Sequence, residues 1–91
     1  MSTQTADVLI VNKRGLHARA AAKFVGVARE FQAQLAVERD GESADGRSIM
    51  DLLMLGAGPG TRLTLRADGS DAPALLAALT RLVEDGFDEG E

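Results

Sequence analysis

Ninety-one residues with a formal net charge of −4, no cysteine and one histidine describe a single small domain of a reducing compartment, the cytoplasm. The acidic balance, with no Trp or Tyr and only three Phe, argues against nucleic acid, which asks for clustered Lys and Arg and for stacking surfaces. No apolar run reaches the roughly 20 residues of a membrane span, no charged-then-apolar leader opens the chain, and one histidine without cysteine leaves little for a metal, so membrane insertion, export, metal and cofactor are all unexpected.

Along the chain, residues 1–6 read as a loose polar lead-in. Residues 7–12 carry Val8-Leu9-Ile10-Val11, a short β-branched run that predicts a strand, central in its sheet. From 17 to 31, apolar residues at 21, 24, 25, 28 and 31 fall on one helical face, burying Phe24, Val25, Ala28 and Phe31 and leaving Lys23, Arg29 and Glu30 to water. Residues 34–39 alternate, with Leu35 and Val37 on one side, and Asp40-Gly41 is a hairpin turn into a third strand at 42–44. A short helix is expected over 48–55. Residues 61–67 alternate again, Leu63 and Leu65 inward and Arg62, Thr64 and Arg66 outward. Pro73 opens a last helix, capped by Ser70 or Asp71, whose buried stripe is Leu75, Leu76, Leu79, Leu82 and Val83. The acidic end, 84–91, reads as solvated and frayed, with 86–91 loose. Alternating strands imply a sheet covered on one face only, an open-faced α/β sandwich. A ferredoxin-like module would give a similar string.

The chemistry concentrates at Gly15-Leu16-His17-Ala18-Arg19-Ala20. Imidazole accepts and releases a phosphoryl group near neutral pH because it is nucleophilic and substantially unprotonated there. A helix that starts at the histidine turns the free backbone N–H groups of Ala18 and Arg19, and the positive end of its dipole, toward an anion on the ring. The Arg19 fork matches phosphate oxygens, and Gly15 lets the loop turn sharply before the histidine. A triad or metalloenzyme has little material here. Ser48 opens a capping pattern completed by Asp51. The helix behind it, Ile49-Met50-Asp51-Leu52-Leu53-Met54-Leu55, is apolar almost all round. With Leu52 and Leu55 buried, helped by Ile49, some of Met50, Leu53 and Met54 must stay exposed as a contact patch.

Residues 11–25 resemble the active-site region of the histidine phosphocarrier (HPr) family of the bacterial phosphotransferase system. Gly46-Arg47-Ser48-Ile49-Met50-Asp51-Leu52-Leu53-Met54-Leu55 and the glycine turn Gly56-Ala57-Gly58-Pro59-Gly60-Thr61 resemble that family's regulatory serine, short helix and turn. The blocks stand at the family's separation, and the likeness runs from about Asp7 into the last helix. Ala20 stands where the family usually has proline, a change that a first helical turn tolerates. The resemblance implies an α+β fold, an open-faced sandwich of four antiparallel strands covered on one face by three helices. It implies a monomeric carrier, not an enzyme: enzyme I, charged from phosphoenolpyruvate, phosphorylates Nδ1 of His17, and the group passes to enzyme IIA components. By the same resemblance, Arg19 is expected to stabilise the phosphorylated ring, Ile49, Met50, Leu53, Met54 and Gly56 to dock partners, and Ser48 to be the target of an HPr kinase/phosphorylase. A nitrogen-branch (NPr-type) regulator that signals by its phosphorylation state is the alternative, favoured by Ala20, Asp51 and the Phe87-Asp88-Glu89 ending. A ligand-binding module of ferredoxin-like shape would make His17 incidental.

Overall fold

The computed structural model describes residues 3–89. In chain order it contains β1 (Gln4–Leu9), α1 (Ala18–Ala28), β2 (Gln34–Arg39), β3 (Glu42–Asp45), α2 (Ile49–Met54), β4 (Arg62–Asp68) and α3 (Ala72–Glu84), followed by a 3-10 turn at Gly86–Asp88. The strands form one antiparallel sheet in the order β1-β4-β2-β3. Alternation in β4 fixes which face is covered: Leu63, Leu65 and Ala67 are buried while Arg62 and Arg66 are exposed. The three helices lie on the buried face, and a single core of Ile10, Phe24, Leu52, Leu63, Leu65, Leu75, Leu79 and Phe87 fills the layer between. The fold is therefore the expected open-faced α+β sandwich of four antiparallel strands and three helices.

The first strand departs from expectation in its bounds and its place: it ends at Leu9, short of residue 12. The lead-in is strand from Gln4 onward, because Gln4, Thr5 and Ala6 pair with Ala67, Arg66 and Leu65; residues 1 and 2 lie outside the described residues. The strand is also an edge and not central. It has β4 as its sole neighbour, and its apolar run splits between two faces, with Val8 and Ile10 buried and Leu9 and Val11 exposed. A four-residue apolar run hid this period of two.

Helix α1 is shorter than its apolar period. It ends at Ala28, and Phe31 lies beyond it, half-buried, with its carbonyl accepting from the Arg47 guanidinium at 2.5 Å. Lys23 is half-buried as well, because its Nζ donates to the Phe87 carbonyl at 2.7 Å. Asp71 occupies the cap position of α3 but makes no side-chain cap; its carboxylate accepts the N–H groups of Gln32 (2.8 Å) and Ala33 (2.9 Å), tying the start of α3 to the α1–β2 loop. Those bonds, that to Gln32 first, hold its carboxyl below the ordinary value.

The C-terminal segment departs most from expectation. Residues 86–89 are packed, not loose: Gly86 and Phe87 are buried, and Phe87 fills the core between α1 and α3. The tight turn that delivers it runs through left-handed backbone at Gly86 (φ 66°), Phe87 (φ 56°) and Asp88 (φ 61°). A non-glycine residue pays about 1–2 kcal/mol for that conformation, which complete burial of a phenyl ring offsets. Residues 90 and 91 lie outside the described residues.

Candidate functional site

The loop between β1 and α1 is pinned by the turn that follows α2. Ile10 N–H donates to the Thr61 carbonyl at 2.9 Å and Leu16 N–H to the Ala57 carbonyl at 2.9 Å, so the glycine turn after α2 holds both ends of the loop. Gly15 has φ 66°, and a Cβ there would stand 2.5 Å from the Ala57 oxygen and 2.8 Å from Gly58 Cα. Only glycine satisfies both the backbone and the space. The two sequence blocks thus meet at one contact.

His17 is the N-cap residue of α1, in extended backbone with φ −83°; its side chain caps none of the helix's N–H groups, and its carbonyl accepts from Ala21 N–H at 2.8 Å. The ring is 22% exposed. Ala18 and Arg19 follow as the first two helical residues, both exposed, so the free N–H end of α1 opens at the histidine. Ala20, where proline was the alternative, is fully buried against the core. Arg19 forms no ion pair among the described residues. Arg14, Arg19 and Lys23 line a shallow cleft of about 340 Å³ together with Asp88 and Glu89.

No carboxylate neighbours His17 in the sequence, and the fold supplies one. Glu89 hydrogen-bonds through Oε2 to Nε2 of His17, and its Oε1 accepts from Asn12 Nδ2 at 3.0 Å. Asn12 is completely buried and donates also to the Gly15 carbonyl at 2.9 Å. Its Oδ1 is the buried side-chain polar atom left without a hydrogen bond among the described residues. The bond from Asn12, then that from His17, hold the Glu89 carboxyl below its ordinary value, so it is ionised at neutral pH. Nothing in the sequence ties Asn12 or Glu89 to the histidine. A separation of 72 residues between the bonded ring and carboxylate leaves no local spacing to read.

The second block forms as expected at its start. Ser48 is the N-cap of α2 and its hydroxyl accepts from Asp51 N–H at 3.2 Å. The reciprocal half of the capping pattern is absent, since the Asp51 carboxylate accepts from Asp45 N–H at 3.2 Å. Leu52 and Leu55 are buried, Leu53 is half-buried against the core, and Met50 (68%) and Met54 (78%) project into solvent. Ile49, expected to help cover the sheet, is exposed instead, because the six-residue helix turns its first position away from the core. Gly56 ends the helix at φ 63°, and the guanidinium of Arg39 donates to the carbonyls of Leu55 and Gly56 at 2.7 and 2.9 Å. Among the described residues no helix is long and apolar enough to cross a membrane, and no three His, Asp or Glu side chains cluster as a metal site.

The family model for the PTS HPr component phosphorylation site matches residues 4–85. The phosphocarrier protein HPr of Pseudomonas aeruginosa is 52% identical over 86 residues, covering 93% of this chain and 96% of that protein. The phosphocarrier protein NPr of Shewanella violacea is 45% identical over 83 residues, 91% of each chain. Among solved structures, HPr of Thermoanaerobacter tengcongensis superposes with a TM-score of 0.91 at 40% identity, covering 94% of this chain and 97% of that one.

Proposed function

The chain belongs to the PTS HPr family of phosphocarriers, and from that premise we propose that enzyme I phosphorylates His17 on Nδ1 and that enzyme IIA components take the group onward. The observation that carries the reading is the position of the chain's only histidine: partly exposed, at the N-cap of α1, beside the cleft that Arg14, Arg19 and Lys23 line. Phosphoryl transfer asks a protein for positioning and charge stabilisation, and both are at hand. The N–H end of α1 and the Arg19 guanidinium supply donors to phosphate oxygens, and Ala18 and Arg19 contribute through their backbone N–H groups. The partner protein completes the transfer, so the chain is a carrier and not an enzyme by itself, working in the cytoplasm. Its docking face is Ile49, Met50, Leu53, Met54 and Gly56, where the exposed methionines offer an adaptable apolar contact. Ser48, at the N-cap of α2, is the regulatory position for an HPr kinase/phosphorylase. Phosphate there suits the helix end while placing charge beside that face.

The test is incubation with phosphoenolpyruvate and enzyme I, followed by mapping of an acid-labile, base-stable phosphoramidate. His17→Ala should take up no phosphoryl group; uptake at the wild-type rate would refute the assignment. Arg19→Ala should slow transfer about ten- to a hundredfold without unfolding, the loss of one charge-assisted contact. A nitrogen-branch role, as a regulator read through its phosphorylation state, is favoured by the Phe87-Asp88-Glu89 segment and by the NPr-named relative. Faster phosphorylation by a nitrogen-type enzyme I than by a sugar-type one would select it.

A further inference from the structure

We propose that Glu89 is a positioning residue that holds His17 as the tautomer with its proton on Nε2, and that Asn12 holds Glu89 in turn. This inference rests on the reading that Nδ1 of His17 receives the phosphoryl group. A carboxylate can only accept, so the ring nitrogen bonded to Glu89 Oε2 must carry the hydrogen. In a neutral imidazole the other nitrogen then has the free lone pair. Glu89 thereby leaves Nδ1 as the nucleophile and fixes the plane of the ring through a bond made 72 residues away in sequence.

The carboxylate is itself well held. Asn12 is fully buried and cannot turn over without cost, because its Nδ2 already bridges the Gly15 carbonyl and Glu89 Oε1. Phe87, fully buried two residues earlier, anchors the segment, and Lys23 Nζ clips its carbonyl at 2.7 Å. A side chain merely resting on the surface would need none of these fixings.

The electron count explains why charge matters as well as orientation. When the Nδ1 lone pair attacks phosphorus, an N–P bond forms and the bond from phosphorus to the donor protein's side chain breaks, its electron pair leaving with the donor. No proton has to leave the ring. Nε2 stays protonated, the ring becomes positive, and the ionised Glu89 faces that charge directly; on onward transfer the N–P bond returns its pair to Nδ1 and the ring is neutral again.

Two measurements on Glu89→Gln, Glu89→Ala and the wild type test this. The first is the ring 15N spectrum of unphosphorylated protein at alkaline pH. Wild type and Glu89→Gln, which keeps an acceptor oxygen, should show one tautomer with hydrogen on Nε2, and Glu89→Ala a mixed population. The second is the initial rate of phosphorylation by enzyme I, expected to fall about tenfold in Glu89→Ala and by less in Glu89→Gln. Identical tautomer spectra in wild type and Glu89→Ala would overturn the proposal, as would an unchanged or raised rate in Glu89→Ala with its thermal transition intact. Phosphorylation of His17→Ala at the wild-type rate would refute the phosphorylation site alone, since the tautomer comparison is made before any phosphoryl group is present.

Discussion

Helix α2 and the C-terminal segment each invert what composition alone would suggest. Five of the six residues in Ile49–Met54 are apolar, yet only Leu52 is fully buried and Ile49, Met50 and Met54 are exposed. Gly86-Phe87-Asp88-Glu89 sits within an acidic end, yet Phe87 has no exposed surface and Glu89 is bonded to the histidine. Composition says how much apolar surface a segment carries and nothing of whether a neighbour covers it. A six-residue helix lying on a core offers one side only, so the surplus stays exposed. One aromatic ring among acids can dock a whole tail, since burying a phenyl side chain gains about 1.5–3 kcal/mol.

The sharpest way to break this contrast is Phe87→Ala. It should cost about 3–5 kcal/mol of stability by chemical denaturation, because it empties a site in the core. A cost near that of a surface substitution would return the tail to the solvent. Asn12→Ala should cost about 1–3 kcal/mol, leaving the Gly15 carbonyl and Glu89 without their donor. An unchanged denaturation midpoint would show that Asn12 does not help to hold the tail.

Acid should loosen the tail. The Glu89 carboxyl is held below its ordinary value of 4.5 in the folded protein, by Asn12 first and His17 second. Its contribution to stability is therefore complete above the unfolded value and is lost as pH falls through the lowered folded one. Stability measured from about pH 5 downward should fall less steeply in Glu89→Gln than in the wild type; parallel curves would remove the carboxylate from the account. The smallest effect belongs to the exposed face: Met54→Glu should change stability by no more than about 0.5 kcal/mol. It should nevertheless weaken binding to enzyme I in titration calorimetry. A large destabilisation would mean that the face is core.

Much of this was legible in the residues. The alternation of Leu63 and Leu65, the Asp40-Gly41 turn and the stripe of α3 are local periods, and local periods survive into the fold. Ser48 as a cap was equally legible, because a cap bonds three residues away. Leu9 and Val11 misled, since exposed apolar side chains at and just beyond the end of an edge strand read like a buried run. The site was half legible. Gly15, His17 and Arg19 lie within five residues of one another, whereas Asn12 and Glu89 are joined only after the tail has crossed α1. Nor could the sequence show that a Cβ at Gly15 would strike Ala57 and Gly58, although both blocks were visible separately.

The order of the sheet also sets a timetable. Because β1 bonds to β4 alone, the first strand made remains without a partner until residues 62–68 exist, and before then only the β2–β3 hairpin can close. Such distant pairing slows folding, since a long loop must close before any contact rewards it. A nascent chain interrupted ahead of Arg62 would hold the histidine loop with neither the strand that aligns it nor the carboxylate that faces it. The histidine loop is therefore completed late.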